Sequence, residues 1–202
     1  MTDQIARDRA LNRFGIPPCL LVPIAAVNEQ AITDYVGDVI QVLSGRGSRM
    51  AFLVRARPGP AIDARLPIWD HPGSGVFHAP LQVWVHEQYR RYRPAYRRAF
   101  PDEDLRGLVL SHALNRRVAA LKGFGFVRLT ATSRRANSSS AFSEQWGVAL
   151  HSEDPQMKAN RRLGALIEYA DLTGLMLMLD MNLGGGVMDA VNEGFSLIRP
   201  RA

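Results

Sequence analysis

Residues 19–56 read CLLVPIAAVNEQAITDYVGDVIQVLSGRGSRMAFLVRA, and this stretch decides the predicted fold. The apolar run 19–27 predicts a buried strand, and residues 50–56 predict a second one. Between them, Asn28 is a suitable N-cap for a helix over 29–43. A strand, a helix and a strand with short connections predict a βαβ unit with parallel strands and a right-handed crossover. The apolar side chains of this helix recur at helical spacing: Ile32, Tyr35, Val36, Val39, Ile40 and Leu43.

The rest of the chain continues this alternation of predicted helices and strands. Helices are predicted over 81–98 with a break or kink at Pro94, from Pro101 to about Leu121, and over 140–150, 156–170 and 187–193. Strands are predicted over 126–131, 175–180 and 195–198, and a polar turn over 133–140. We therefore expect an α/β fold with a mixed, mostly parallel sheet of about four to five strands and helices packed on it.

The length and composition predict one globular domain over residues 1–202. Within it, residues 1–18 form an N-terminal arm, and residues 57–80 form a long loop rich in proline and glycine, of the kind that is often functional. Cys19 is the only cysteine, so an intrachain disulfide is impossible, and its apolar neighbours predict a buried side chain. No secretory signal or apolar run of ~20 residues is evident, so we expect a cytoplasmic protein without a membrane segment.

The charge of the chain is positive and comes almost entirely from arginine. The formal net charge is +6, and only two of the 25 basic residues, Lys122 and Lys158, are lysines. Guanidinium groups pair well with phosphate and carboxylate, which favours a polyanionic partner. A GC-rich coding sequence would also enrich arginine, so the ratio by itself does not choose between these explanations.

The most distinctive segment is 89–98, which holds five arginines and three tyrosines in ten residues. The arginines can neutralise backbone phosphates, and the tyrosine rings can stack on bases. Tyr89, Tyr92 and Tyr96 also share one stripe of a helix. The same pattern is therefore typical of a helix that packs its tyrosines into the core and leaves its arginines in solvent.

Two further polar clusters follow this segment. On the predicted helix that ends near Leu121, His112, Asn115 and Arg116 share the side opposite the apolar face and could hold a phosphate. Arg117 projects into the apolar face, which predicts a carboxylate partner such as Glu144, Glu168, Asp171 or Asp180. The turn 133–140 then brings Arg134, Arg135 and Asn137 to a probable helix start, where they either attract an anion or only cap the helix.

Two loops offer acidic and histidine side chains. Asp70 and His71, with His78 and His86 further on, could bind a divalent metal or supply acid–base groups, although their spacing matches no metal motif. Asp180 ends a predicted strand and precedes the glycine turn 184–186, an arrangement that can bind phosphate or serve only as a flexible turn. The cofactor is therefore left open, with a divalent metal as one possibility.

These patterns together favour a nucleic-acid-binding protein that acts on phosphodiester bonds if it is catalytic. One alternative is an α/β enzyme or binding protein for a phosphorylated or acidic small molecule, and another is an assembly subunit that docks on an acidic protein. The sequence predicts no oligomeric state. The catalytic candidates are His112, Glu144, Asp70 and His71. The nucleic-acid-binding candidates are Tyr89, Arg90, Arg91, Tyr92, Arg93, Arg97, Arg98, Arg116, Arg134, Arg135 and Asn137.

Overall fold

The computed structural model describes residues 22–58, 68–69, 76–139, 165–181 and 198–199. The strands are β1 (Pro23–Ala26), β2 (Gly37–Val42), β3 (Ala51–Ala56), β4 (Ile68–Trp69), β5 (Leu81–His86), β6 (Leu108–His112), β7 (Phe126–Ser133), β8 (Ile167–Tyr169) and β9 (Ile198–Arg199). The helices are α1 (Glu29–Tyr35), α2 (Tyr92–Ala99), α3 (Arg116–Lys122), α4 (Arg134–Ser139) and α5 (Leu172–Met178). None of these helices is long and apolar enough to cross a membrane.

The main sheet is curled and entirely antiparallel, so the predicted mostly parallel sheet of four to five strands is wrong. Its strand order is β2-β3-β5-β7-β1-β8, and β6 also pairs with β7. In β7, residues 126–128 pair with β5, residues 126–127 also pair with β1, and residues 129–133 pair with β6. A separate two-stranded ladder joins β4 to β9.

The error begins with the predicted helix 29–43, which is a helix only in its first half. Asn28 caps α1 as predicted, since its Oδ1 accepts the amide of Ala31 at 2.8 Å. The helix ends at Tyr35, and β2 follows from Gly37 and pairs antiparallel with β3. A parallel crossover needs a dozen or more residues, and α1 has seven. A short connection between β2 and β3 produces antiparallel pairing instead.

Gly37 fixes the place where β2 begins. A Cβ atom at this position would overlap the carbonyl oxygen of Arg55 in β3, so only glycine permits the two backbones to approach this closely. The residues that follow include Val39, Ile40 and Val42, whose β-branched side chains favour a strand over a helix.

The predicted helix over 81–98 combines a strand and a helix. Residues 81–86 form β5 between β3 and β7, where Trp84 is fully buried. The helix begins only at Tyr92, so Pro94 lies in its first turn, where the missing N–H breaks no hydrogen bond. The predicted kink therefore does not occur.

Several other segments form a type of secondary structure that differs from the predicted one. The helix expected to end near Leu121 is the strand β6 followed by α3, and the turn 133–140 contains the helix α4. The strand expected over 175–180 is mostly the helix α5, and β8 lies within the helix expected over 156–170. Strands over 50–56 and 126–131 are confirmed as β3 and β7.

Helices cover both faces of the sheet, because successive side chains of a strand point to opposite faces. On one face, Phe52 and Trp84 pack with Ile32 of α1. On the other face, Leu53 and Val85 join the cluster that contains Tyr89, Ala95 and Tyr96. The segment that carries the predicted arginine and tyrosine site is thus anchored to the second face.

Candidate functional site

An open cleft of about 870 Å³ lies between the β2–β3 turn and the segment 89–98, which includes most of α2. We call it the arginine cleft, because arginine is the commonest residue in its lining. Its walls are formed by Gly45, Ser48, Tyr89, Arg91, Arg93, Pro94, Arg97 and Arg98.

The amphipathic pattern of α2 places the arginines on the outer side of this helix. Ala95 and Tyr96 are buried against the sheet, and Arg93, Arg97 and Arg98 are exposed. Arg93 and Arg97 are four residues apart, so they lie on the same side of the helix. Arg97 and Arg98 also lie in the last turn, where the helix dipole stabilises cations.

The opposite wall is the turn between β2 and β3, which is held in shape by its own hydrogen bonds. The hydroxyl of Ser44 donates to the carbonyl of Ser48 and accepts the amide of Met50 at 3.2 Å. The amide of Ser48 donates to the carbonyl of Gly45 at 3.1 Å. Arg46 is exposed on this turn and adds a positive charge near the cleft.

Among the residues that the structure describes, no carboxylate lines the arginine cleft. The ion pairs among the described residues are Arg49 with Glu29, Arg106 with Asp104, and Lys122 with Glu168. None of them involves a cleft arginine, so four guanidinium groups share one concave surface without a described carboxylate partner. Like charges repel at short range, and an anion placed among them would relieve this repulsion.

The contacts that the cleft arginines do make leave most of their donors available. The Nε of Arg98 donates to the carbonyl of Pro94 at 3.3 Å. The guanidinium carbon of Arg93 lies 5.8 Å from the centre of the Tyr92 ring, a cation–π contact. Because each guanidinium carries five N–H donors, both side chains retain donors for an anion.

The three tyrosines of this segment face the protein interior. Tyr89 and Tyr96 are buried, with exposed fractions of 8% and 6%. The hydroxyl of Tyr96 donates to Oε1 of Glu103 at 3.2 Å, and burial together with this carboxylate raises the pKa of the phenol. The rings of Tyr92 and His112 meet edge to face with centres 4.7 Å apart.

His112 lies at the end of β6 and does not line the arginine cleft. Its Nε2 is buried and has no hydrogen-bond partner among the described residues. Burial lowers the pKa of His112 to about 4, and the nearby charge of Arg116 acts in the same direction. The imidazole is therefore neutral near pH 7. His112 and Arg116 are neighbours as predicted, but they lie on a strand and a helix and not on one helix.

Arg116 and Asn115 have structural contacts at the start of α3. The side chain of Asn115 accepts the amide of Arg117 at 2.9 Å and caps the helix. The Nη1 of Arg116 donates to the carbonyl of Glu87 at 3.4 Å. Arg117 is exposed and has no ion pair with a described carboxylate. Of the partners predicted for it, Glu168 pairs with Lys122, and Glu144 lies outside the described residues.

The remaining candidates lie apart from the cleft or outside the described residues. Arg134 and Arg135 are exposed on α4, where Asn137 is half-buried, and none of the three lines the cleft. Arg90 is exposed beside the cleft. Asp70, His71 and Glu144 lie outside the described residues. Within the described ranges, no cluster of three histidine, cysteine or acidic residues could hold a metal ion.

Arg128 is a buried cation whose role the sequence analysis missed. It lies on β7 with an exposed fraction of 2%, and it donates to the backbone carbonyls of Phe77, at 2.9 Å, and Val76. Burial lowers its pKa to about 10. A charged residue within the apolar run 126–131 was the available signal. Its contacts tie residues 76–77 to the sheet.

Asp180 follows α5, and its carboxylate also has a structural contact. Its Oδ1 accepts the hydroxyl of Thr132 at 2.7 Å and the amide of Ser133 at 2.5 Å. Burial alone would raise the pKa of this carboxyl, but these hydrogen bonds outweigh it and lower the pKa below its usual value. Its backbone φ of 63° is in the left-handed region, which aspartate tolerates better than most residues.

The fold and the site together define a class: an antiparallel-sheet protein with a surface cleft lined by arginine. Comparison with protein-family models, curated proteins and solved structures found no match, so the function is argued from the cleft itself.

Proposed function

We propose that this protein binds nucleic acid through the arginine cleft. The observation that carries the proposal is that four exposed arginines, Arg91, Arg93, Arg97 and Arg98, line one cleft whose described lining contains no carboxylate. The planar guanidinium group matches the geometry of phosphate oxygens and can donate two parallel hydrogen bonds to them. A strand of nucleic acid offers such groups at regular intervals.

The dimensions of the cleft support an extended anion. Its volume of about 870 Å³ lies in the upper part of the range of small-molecule pockets, roughly 300–1,000 Å³. The cleft is open, so a strand could enter and leave along it. Arg46 and Arg90 extend the positive charge beyond its lining.

The proposal is limited to binding. His112 is half-buried and does not line the cleft, and the other catalytic candidates, Asp70, His71 and Glu144, lie outside the described residues. Cleavage of phosphodiester bonds therefore has no described set of acid and base groups to support it.

A second candidate is a compact phosphorylated ligand, which the concave shape of the cleft favours. The two candidates differ in how affinity depends on ligand length. A nucleic-acid strand gains affinity with each additional phosphate that it places in the cleft, whereas a compact ligand competes with the strand even as a mononucleotide.

Fluorescence anisotropy with a labelled single-stranded 20-mer tests the proposal. The double variant Arg91→Gln, Arg97→Gln removes two cleft charges that have no ion pair with a described carboxylate. We expect it to weaken binding at least tenfold at low salt. In the native protein, four phosphate contacts imply a slope of log K against log salt of about −3, and about half of this slope should remain in the variant.

The matched control is the double variant Arg55→Gln, Arg117→Gln, which removes the same charge from exposed positions outside the cleft. We expect this control to bind within threefold of the native protein. Equal weakening in both variants would show that net charge, and not the cleft, drives binding. Competition by a mononucleotide at micromolar concentration would favour the compact ligand.

A further inference from the structure

We infer that the arginine cleft recognises the phosphodiester backbone of its ligand and not the bases. This inference rests on the proposed function and narrows it, because it predicts a partner class defined by the spacing of its phosphates and not by base sequence. The evidence for the inference is the set of residues that line the cleft and the packing of the neighbouring tyrosines against the protein.

The hydrogen-bonding groups in the cleft suit phosphate better than base edges. Sequence is usually read by asparagine, glutamine, acidic residues or arginines directed at base edges in a groove. The described lining of the cleft contains no asparagine, glutamine or acidic side chain, and apart from the arginines and Tyr89 its polar side chain is that of Ser48. Contacts to phosphate fix the position of a strand without reading its sequence.

The aromatic rings beside the cleft are already packed against protein. A base stacks on an aromatic side chain only when a face of the ring is open to it. Tyr96 is buried, and Tyr92 contacts both His112 and Arg93. Tyr89 lines the cleft, but with an exposed fraction of 8% it leaves little ring surface for a base.

Guanidinium planes can themselves stack on bases, so the test must separate bases from phosphates. Three labelled strands of equal length make this separation: oligo-dT, an abasic strand with the same phosphates, and a methylphosphonate oligo-dT with the bases but a neutral backbone. Each is titrated against the native protein by fluorescence anisotropy at low salt.

The inference predicts that the abasic strand binds within fivefold of oligo-dT, and that the methylphosphonate strand binds at least thirtyfold more weakly. It also predicts that Arg91→Gln, Arg97→Gln weakens binding of oligo-dT and of the abasic strand by the same factor, because both lose the same contacts. A loss of more than fivefold on removal of the bases would overturn the inference while leaving the proposed function intact. Failure of both charged strands to bind would overturn the proposed function itself.

Discussion

Arg117 is exposed and Arg128 is buried, and the sequence pattern indicated neither environment. Arg117 was expected on an apolar helix face and is exposed, because the helix begins only at Arg116 and its faces are set from there. Arg128 is buried and satisfied by two backbone carbonyls. A buried cation without a carboxylate is costly, and hydrogen bonds to carbonyl dipoles reduce that cost.

The stability of the protein should depend on pH through His112. Its pKa is about 4 in the folded protein, against about 6.5 in an unfolded chain, so the unfolded state binds the proton more readily. The folded state therefore loses stability as pH falls below about 6.5, and this loss is complete below about 4. At pH 4.5 the loss is about 2 kcal/mol.

The variant His112→Phe isolates this effect, since phenylalanine preserves a ring against Tyr92 and cannot be protonated. Denaturant unfolding of the native protein and of the variant at pH 7 and 4.5 measures it. Acid should cost the native protein about 2 kcal/mol more than the variant. An equal loss in both proteins would contradict the assignment to His112.

Gly37 should be intolerant of any side chain. Gly37→Ala places a methyl group on the backbone of Arg55, and the required movement of β2 should lower the free energy of unfolding by at least about 2 kcal/mol. Gly45→Ala is the control, because a Cβ there meets no atom within 4 Å. It should change stability by less than about 0.5 kcal/mol in the same denaturant titration.

Some elements are determined by their local sequence, and others by pairing with strands that are distant in the sequence. The N-cap of α3 is an example of local control, since the side chain of Asn115 accepts the amides of Arg117 and Val118. At the other end, Gly123 adopts a φ of 81° and ends the helix. Both signals depend on near neighbours only. The helix end near Leu121 was predicted, but the cap was not, since Asn115 was expected inside a longer helix.

Replacing Asn115 tests this local control. Asn115→Ala removes the acceptor and should lower the free energy of unfolding by about 1 kcal/mol, whereas Asn115→Asp keeps an acceptor and should cost less than half as much. Thermal unfolding of the three proteins gives the comparison. If alanine and aspartate were equally destabilising, the cap would not be the source of the effect.

The parts of the fold that the sequence did not reveal are those that depend on distant partners. Val39, Ile40 and Leu43 have helical spacing, yet residues 37–42 form a strand because β3 offers an edge to pair with. Residues 81–86 were also predicted as part of a helix. They form a central strand that is buried on both faces, and the sequence of such a strand is a short apolar run that periodicity does not distinguish from a buried helix. In contrast, β7 was predicted correctly, because residues 126–131 are flanked by turn residues and rich in strand formers.

The candidate site was likewise predictable only where it depends on local sequence. The arginine and tyrosine segment was found from composition alone, and the sequence already allowed the arrangement with tyrosines inside and arginines outside. The composition did not predict the second wall of the cleft, which is the β2–β3 turn. Gly45 and Ser48 lie more than forty residues from α2 in sequence, and only the pairing of β2, β3 and β5 brings them to the arginines.

At the scale of the whole molecule, the antiparallel sheet explains why the cleft exists at this position. The β2–β3 turn lies at one end of two adjacent strands, and β5 enters the sheet beside β3, so the chain that leaves β5 reaches the same end. The helix α2 then packs on the sheet face with its tyrosines. The cleft is the space between this helix and the turn.

The separation of α2 into an inner tyrosine side and an outer arginine side has a consequence for redesign. The residues of α2 that pack against the sheet, Ala95 and Tyr96, differ from its exposed arginines, so the arginine positions can be rewritten while the buried side chains stay in place. Glutamate at Arg93 and Arg97 would replace two positive charges with negative ones on the same scaffold. If the cleft binds anions as proposed, these two substitutions within the eight residues of the helix would reverse its preference toward cations.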